Sequence, residues 1–206
     1  MSDINKLIAG FQRFQANYFG GDRELFARLK QGQNPGAMVI ACSDSRVDPA
    51  ILLDAQPGDL FMVRNVANLV PPYERGAGLH GVSTALEFGV CVLGVAHLIV
   101  LGHSQCGGVR ALMEGTQGDF MGNWVNIAAR AKERVLAEFP GASHQEQCHA
   151  CEEATILVSL ENLLTFPWIR ERVEQGKLVL HGWYFDIDSG RLVAYDASAR
   201  AFQPLI

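Results

Sequence analysis

Two stretches decide the fold: MVIACSDSR at residues 38–46 and LIVLGHSQCGG at residues 98–108. Each begins with a continuous apolar run, and similar runs occur at residues 60–63 and 178–180. Runs that are continuous rather than alternating are typical of strands covered on both faces of a sheet. The pattern therefore predicts a buried sheet.

Segments with helical character separate these runs, at residues 81–93, 107–114, 124–139 and 145–166. Strands that alternate with helices predict an α/β fold with a mostly parallel central sheet flanked by helices. Residues 187–192 contain a turn between two apolar stretches, which predicts an antiparallel C-terminal edge.

The first 35 residues carry a separate helical pattern. Apolar side chains recur at helical spacing between Ile4 and Tyr18, and a second short helix is predicted up to Leu29. We interpret residues 1–35 as an N-terminal helical arm of a single domain that spans residues 1–206. The apolar stripe of this arm packs either in the core of its own chain or on a second subunit, and the sequence leaves both open.

Composition excludes several classes of protein. Seventeen Lys and Arg against 22 Asp and Glu give a net charge of −5, whereas nucleic-acid-binding proteins usually present a basic face. No apolar run approaches the roughly 20 residues of a membrane helix, and the N-terminus lacks the layout of a signal peptide. We therefore expect a cytoplasmic protein that binds neither nucleic acid nor membrane. In a reducing compartment, its five cysteines are metal ligands, catalytic thiols or core residues rather than disulfides.

Three side chains with metal-binding chemistry follow two of the apolar runs. Cys42 comes directly after the first run, and His103 and Cys106 come after the run at residues 98–101. Ligands bind at the carboxyl ends of strands in open α/β sheets. If the two strands are neighbours, two thiols and one imidazole converge on one point. Zinc prefers these ligands, and three protein ligands leave the fourth position open, as in catalytic zinc sites.

Asp44 and Arg46 bear on that fourth position. Asp44 lies two residues after Cys42, so its carboxylate can ligate the metal or accept a hydrogen bond from a bound water. Arg46 can hold the carboxylate off the metal through a bidentate ion pair. A closed structural zinc site, with Asp44 as the fourth ligand, is the main alternative, and the presence of Arg46 argues against it.

Taken together, these motifs resemble those of the β-class carbonic anhydrases. The similarity runs through CSDSRVDP at 42–49, GDLFMVRNVAN at 58–68, GHSQCGG at 102–108, CEEA at 151–154 and HGW at 181–183. The resemblance implies a lyase that hydrates carbon dioxide reversibly to bicarbonate and a proton, through attack by a zinc-activated hydroxide. It also implies one Zn²⁺ per subunit and a homo-oligomer, a dimer or a tetramer of dimer units, with active sites at the dimer interface.

The resemblance assigns roles to individual residues. Cys42, His103 and Cys106 match the zinc ligands. Asp44 and Arg46 match a catalytic pair that controls the fourth zinc position, and Asp44 binds the metal only in a closed, inactive form. A further set matches the substrate-binding residues of the family: Gln33, Phe61, Val66, Phe88 and Gly107.

The chain also departs from the family pattern. Phe88 stands where many members have tyrosine, so one hydroxyl is missing from the pocket. One subgroup is inhibited by bicarbonate and carries a tryptophan, an arginine and a tyrosine where this chain has Val39, Arg64 and Phe185. Because only the arginine matches, we expect the non-allosteric subgroup. Tyr184 lies on the opposite face of the strand by alternation and does not replace the missing tyrosine.

Other interpretations stay open. Relatives with the same zinc site and a closed substrate tunnel hydrolyse carbon disulfide or carbonyl sulfide. Cys148 and Cys151 share one face of a predicted helix and imitate a second metal site, but we expect them to be packing residues. We also expect Cys91 to be a small buried residue of the core.

Overall fold

A computed structural model describes residues 4–21, 23–76 and 78–205. The chain divides into two compact units, one within residues 1–34 and one within residues 35–206. None of the described helices has the length and apolar character needed to cross a membrane.

The first unit consists of two helices, α1 (Ile4–Phe19) and α2 (Glu24–Leu29), in agreement with the sequence pattern. Neither helix contains a buried residue among those described. Aromatic rings join the two, since Phe14 and Phe19 both contact Phe26. The assignment of this segment as an arm of a single domain stays a prediction, and its first three residues lie outside the described ones.

The second unit is built on a six-stranded sheet. Its strands are β1 (Ala37–Cys42), β2 (Leu60–Asn65), β3 (His97–His103), β4 (Val179–Phe185), β5 (Leu192–Asp196) and β6 (Ala201–Pro204). They lie in the order β2-β1-β3-β4-β5-β6. The first four are parallel, and β5 and β6 add an antiparallel edge. The predicted α/β fold is confirmed, and β6 is an additional strand, too short to show a pattern in the sequence.

Seven α-helices flank the sheet within the described part of this unit. They are α3 (Pro49–Leu52), α4 (Gly81–Glu87), α5 (Gly107–Glu114), α6 (Met121–Val125), α7 (Ala129–Glu138), α8 (His144–Leu163) and α9 (Pro167–Glu174). A 3₁₀ turn separates α6 from α7, where the sequence predicts one helix. The predicted helix at residues 145–166 ends early because Pro167 begins a new one.

Side chains of the parallel strands alternate between two clusters. Met38 and Ile40 are buried on the same side as Ile156 of α8. Val39 and Ala41 belong to a separate cluster on the other side. Burial on both sides explains why the strands read as continuous apolar runs.

The prediction that Cys91 is buried in the core is wrong, because its side chain is exposed. The prediction assumed α-helical spacing throughout residues 81–93. The backbone instead forms a π-helical turn over Phe88–Val92. A π-turn holds more residues than an α-turn, so the side chains within it, including Cys91, are rotated around the helix axis relative to α-helical spacing.

Glycines set the distance between α8 and the sheet. A Cβ atom on Gly102 would lie 2.7 Å from Cδ1 of Ile156, and one on Gly182 would lie 2.9 Å from Cγ2 of the same side chain. Ile156 is fully buried and has no room to move away. Gly102 directly precedes His103, so this packing also fixes the end of β3.

We expect Gly102→Ala to lower the free energy of unfolding by about 1–3 kcal/mol, because the added methyl group overpacks against Ile156. Urea denaturation measures the change. Gly141→Ala is a matched control, since a Cβ atom there meets nothing within 4 Å. Equal stabilities of the two variants would contradict this account of the packing.

Candidate metal centre

The pairing of two strands brings the predicted metal ligands together. β1 and β3 are adjacent and parallel, so Cys42 and His103 end at the same edge of the sheet. Cys106 follows a short turn and is the N-cap residue of α5. The ligand atoms of the three side chains all lie within 4.8 Å of one another, and they form the one such group among the described residues. These residues could therefore hold a metal ion.

The imidazole of His103 is oriented for metal binding. Its Nδ1 lies 2.8 Å from the carbonyl oxygen of Ser104. A carbonyl oxygen accepts and does not donate, so Nδ1 carries the proton and Nε2 presents a lone pair. Nε2 is buried and has no hydrogen-bond partner among the described residues. An unsatisfied buried acceptor is costly, and a metal ion at this position would satisfy it.

The two thiols also fit a divalent cation. Their Sγ atoms are 3.9 Å apart, close to the roughly 3.8 Å expected for two sulfur ligands on a tetrahedral zinc with 2.3 Å bonds. A hydrogen bond from Cys106 lowers the pKa of Cys42 to about 4. The same contact raises the pKa of Cys106. A cation is therefore needed to hold both side chains as thiolates.

Asp44 lies beside the centre but is held by Arg46. The guanidinium donates from Nε to Oδ1 at 3.0 Å and from Nη2 to Oδ2 at 2.8 Å, and the backbone N–H of Arg46 donates to Oδ1 at 2.9 Å. These bonds keep the pKa of Asp44 well below its usual range. Oδ2 lies 3.9 Å from Nε2 of His103. The carboxylate thus faces the metal position while both of its oxygens are occupied.

A strained turn carries the chain from His103 to Cys106. Gln105 has a φ of 58°, in the left-handed region that L-residues rarely adopt. Its carbonyl oxygen accepts a hydrogen bond from Arg46, and its side chain donates to Asp188 at 3.0 Å. Arg46 therefore joins the Asp44 carboxylate to the turn between two candidate ligands.

Arg64 supports the loop that carries Asp44. Its guanidinium donates to the carbonyl oxygens of Cys42 at 3.0 Å, Asp44 at 2.7 Å and Val47 at 3.2 Å. It also forms a 2.8 Å ion pair with Asp48. All four contacts lie within residues 42–48, so Arg64 is a structural anchor of this loop.

Two of the expected substrate-binding residues lie near the centre. Val66 comes directly after Asn65, which is the register partner of Cys42. A Cβ atom on Gly108 would lie 2.7 Å from Cγ1 of Val66, so Val66 packs against the start of α5. A Cβ atom on Gly107 would meet nothing within 4 Å, which leaves open space in front of that residue.

Phe61 and Phe88, two other expected pocket residues, do not lie at the centre within this chain. Phe61 and Phe88 contact each other, with ring centroids 5.7 Å apart. Phe61 is the register partner of Met38, four residues before Cys42, which is about 13 Å along the strand. Gln33 is exposed in the first unit, and its role stays a prediction.

Sequence reasoning missed Glu152. This residue of α8 is 4% exposed, and its Oε1 accepts a 3.0 Å hydrogen bond from the backbone N–H of Cys106. Its position in the CEEA motif is the signal that could have found it. The sequence of α8 has no clear apolar face, because buried positions occur around most of the circumference of the helix. The pattern therefore does not indicate which acidic residue faces inward.

Tyr184, Phe185 and the two cysteines of α8 lie as expected. Tyr184 is buried with the α8 side of the sheet, whereas Phe185 packs with the opposite cluster. Cys151 is fully buried among apolar side chains. Cys148 is partly buried and packs against the same cluster.

Comparisons with known proteins agree on one family. A family model described as carbonic anhydrase matches residues 37–192. Beta carbonic anhydrase 5, chloroplastic, from Arabidopsis thaliana is 47% identical over 180 residues, which are 85% of this chain and 59% of that protein. The chain therefore spans 59% of the length of this relative.

Solved structures give the same result. The β-carbonic anhydrase CcaA has a TM-score of 0.93 and 34% identity, with 100% of this chain and 93% of that chain covered. One of two tetrameric β-carbonic anhydrases from Sordaria macrospora has a TM-score of 0.77 and 30% identity, with 92% of each chain covered.

The geometry predicts that the chain binds one equivalent of zinc and that Cys106→Ser abolishes tight binding, because one of three protein ligands is removed. Zinc content after dialysis against a weak chelator measures this. Cys91→Ser is the matched control, since Cys91 is exposed and lies outside the centre. Retention of a full equivalent of zinc by Cys106→Ser would show that the metal lies elsewhere.

Proposed function

Because this chain belongs to the β-class carbonic anhydrases, which are lyases, we propose that it hydrates carbon dioxide reversibly to bicarbonate and a proton. The observation that carries the proposal is the three-ligand centre with Asp44 held beside it by Arg46. Such a centre leaves the fourth metal position for the reaction.

Zinc is the cofactor that fits these residues, with Cys42, His103 and Cys106 as its ligands. When bound, zinc supplies Lewis acidity that lowers the pKa of a coordinated water, so that a nucleophile is available near neutral pH. The proton on Nδ1 of His103 fixes the ring so that Nε2 points to the metal, and the Ser104 carbonyl holds that proton in place.

Asp44 and Arg46 form the catalytic pair. Asp44 accepts a hydrogen bond from the attacking nucleophile and thereby orients its lone pair toward the carbon of carbon dioxide. The bidentate contact with Arg46 keeps the carboxylate off the metal, since a ligating carboxylate would occupy the position that the reaction needs. Asp44 would bind the metal only in a closed, inactive form.

The substrate pocket requires a second copy of the chain. Val66 and Gly107 lie beside the centre, whereas Phe61 and Phe88 lie at the opposite end of the strands. We propose that these two rings line the pocket of a partner subunit, in a homodimer or a tetramer of dimers. The tetrameric relatives from Sordaria macrospora support an oligomer. The role of Gln33 as a residue that hydrogen-bonds substrate is a further part of the proposal.

The proposal also covers inhibition by bicarbonate and the location of the protein in the cell. Val39 and Phe185 lie in an apolar cluster, and Arg64 is engaged by the loop at residues 42–48. This arrangement supports an enzyme without the bicarbonate-inhibition site. A cytoplasmic location stays a prediction, since the Arabidopsis relative is named chloroplastic.

Stopped-flow measurement of carbon dioxide hydration, at known zinc content, tests the function. We expect fast hydration in proportion to zinc occupancy, with a smooth rise from acid to alkaline pH. Full zinc occupancy without hydration would refute the proposal and favour a closed site or a relative that acts on carbon disulfide or carbonyl sulfide.

Arg46→Ala tests the catalytic pair. The change frees Asp44 to bind the metal, so we expect hydration to fall by about 100-fold, at the upper end of losses for outer-sphere partners of metal ligands, while zinc is retained. Arg75→Ala is the control, because Arg75 is exposed and pairs with Tyr73, and its activity should be unchanged. Near-normal turnover of Arg46→Ala would show that Asp44 needs no such restraint.

A further inference from the structure

We propose that Glu152 is a positioning residue of the metal centre, which fixes the backbone of Cys106 and places a carboxylate behind the metal. The inference rests on the proposed function, because it concerns the metal that this function requires. It assigns a role to a buried acidic group that the mechanism above does not use.

The burial of Glu152 needs an explanation. Removal of a carboxylate from water is strongly unfavourable unless partners compensate for it. Among the described residues, the one basic group within 4 Å is His149, with Nδ1 at 3.7 Å from Oε2. No Lys or Arg in the described ranges forms an ion pair with this carboxyl group. The compensation therefore comes from hydrogen bonds, and one of their donors is the backbone N–H of Cys106, a candidate metal ligand.

Both oxygens of Glu152 accept hydrogen bonds. Oε1 takes the backbone N–H of Cys106 at 3.0 Å, and Oε2 takes the hydroxyl of Tyr184 at 2.8 Å. This pattern fits the ionised form, which has no proton to donate. Burial and the Glu152 charge raise the pKa of Tyr184, so its hydroxyl keeps the donated proton.

The contact with Cys106 links the carboxylate to a candidate ligand. Cys106 has an extended backbone (φ −68°, ψ 118°) at the start of α5, and its Sγ faces Cys42. A fixed N–H holds this residue between the strained turn at Gln105 and the helix. Glu152 therefore restrains Cys106 from α8. The pair of Asp44 and Arg46 lies in the other ligand-bearing segment, the loop after Cys42.

The charge of Glu152 also acts on the metal. Zinc with two thiolates and a neutral imidazole has a formal charge of zero, and a nearby carboxylate adds one negative charge. This charge favours retention of the cation and reduces its Lewis acidity. Loss of the charge should therefore release zinc faster and shift the pH dependence of hydration toward lower pH.

Glu152→Gln tests both effects, because glutamine keeps the size and one acceptor but removes the charge. We expect zinc loss to an excess of chelator to be about 10- to 100-fold faster than in the parent protein, in line with other outer-sphere partners of metal ligands. In the zinc-loaded variant, the midpoint of the pH–rate profile should move to lower pH. Tyr184→Phe, which removes one hydrogen bond to Glu152, should move the rate of zinc loss in the same direction by a smaller factor.

Glu153→Gln is the matched control, since Glu153 is the next residue of α8, is partly buried and forms no hydrogen bond with a residue of the centre. Its zinc loss and pH midpoint should match the parent. If Glu152→Gln retains zinc as the parent does, or if both variants change equally, the inference is wrong. A purely structural role would lower the stability of the metal-free protein and leave zinc loss from the folded protein unchanged.

The zinc-loss experiment on Glu152 is independent of the hydration experiment that tests the proposed function. Zinc loss is measured without turnover, so it judges Glu152 even if the parent protein fails to hydrate carbon dioxide. If Glu152→Gln does not fold, Tyr184→Phe decides, because it removes a single hydroxyl and must release zinc faster than Glu153→Gln does.

Discussion

The parallel pairing of β1 with β3 is the constraint on which the rest of the structure depends. It brings the ends of two strands that lie 60 residues apart in sequence to one edge of the sheet, with Ala41 opposite Leu101. A shift of one residue in register would turn alternate side chains to the other face. The buried clusters on both faces therefore fix the register, and the register fixes where Cys42 and His103 meet. The core and the metal centre are two consequences of one pairing.

Charged side chains of both signs hold the two segments that carry the candidate ligands. Within the loop after β1, Arg46 binds the Asp44 side chain, and Arg64 of β2 binds backbone carbonyl oxygens of the same loop. Glu152 lies behind the turn after β3. Each ligand-bearing segment is thus tied to the body of the domain by a charged side chain from a different element. Such supports limit the movement of the ligands, and the geometry does not depend on the loops alone.

Sequence patterns predicted the features that depend on neighbours in the chain. The four parallel strands, the helix at residues 107–114 and the convergence of the candidate ligands follow from apolar runs and from the placement of polar residues at strand ends. The patterns did not predict the orientation of side chains that depends on the structure around them. The inward orientation of Glu152 depends on contacts with Cys106 and Tyr184, which are distant in sequence. The π-turn that exposes Cys91 departs from the α-helical spacing that the pattern assumes. The remoteness of Phe61 from Cys42 follows from strand register, which a motif match does not report.

The packing of Ile156 against Gly102 and Gly182 has an evolutionary consequence. One side chain occupies the space that a methyl group at either glycine would need, so substitutions at the three positions should be coupled. A larger residue at 102 or 182 becomes tolerable only after position 156 has become smaller, and the reverse order passes through a destabilised intermediate. Related sequences should therefore show linked changes at these three positions. The side chain at position 156 should become smaller before the one at 102 or 182 becomes larger. The end of β3 beside the metal centre would then be among the slowest parts of the fold to diverge.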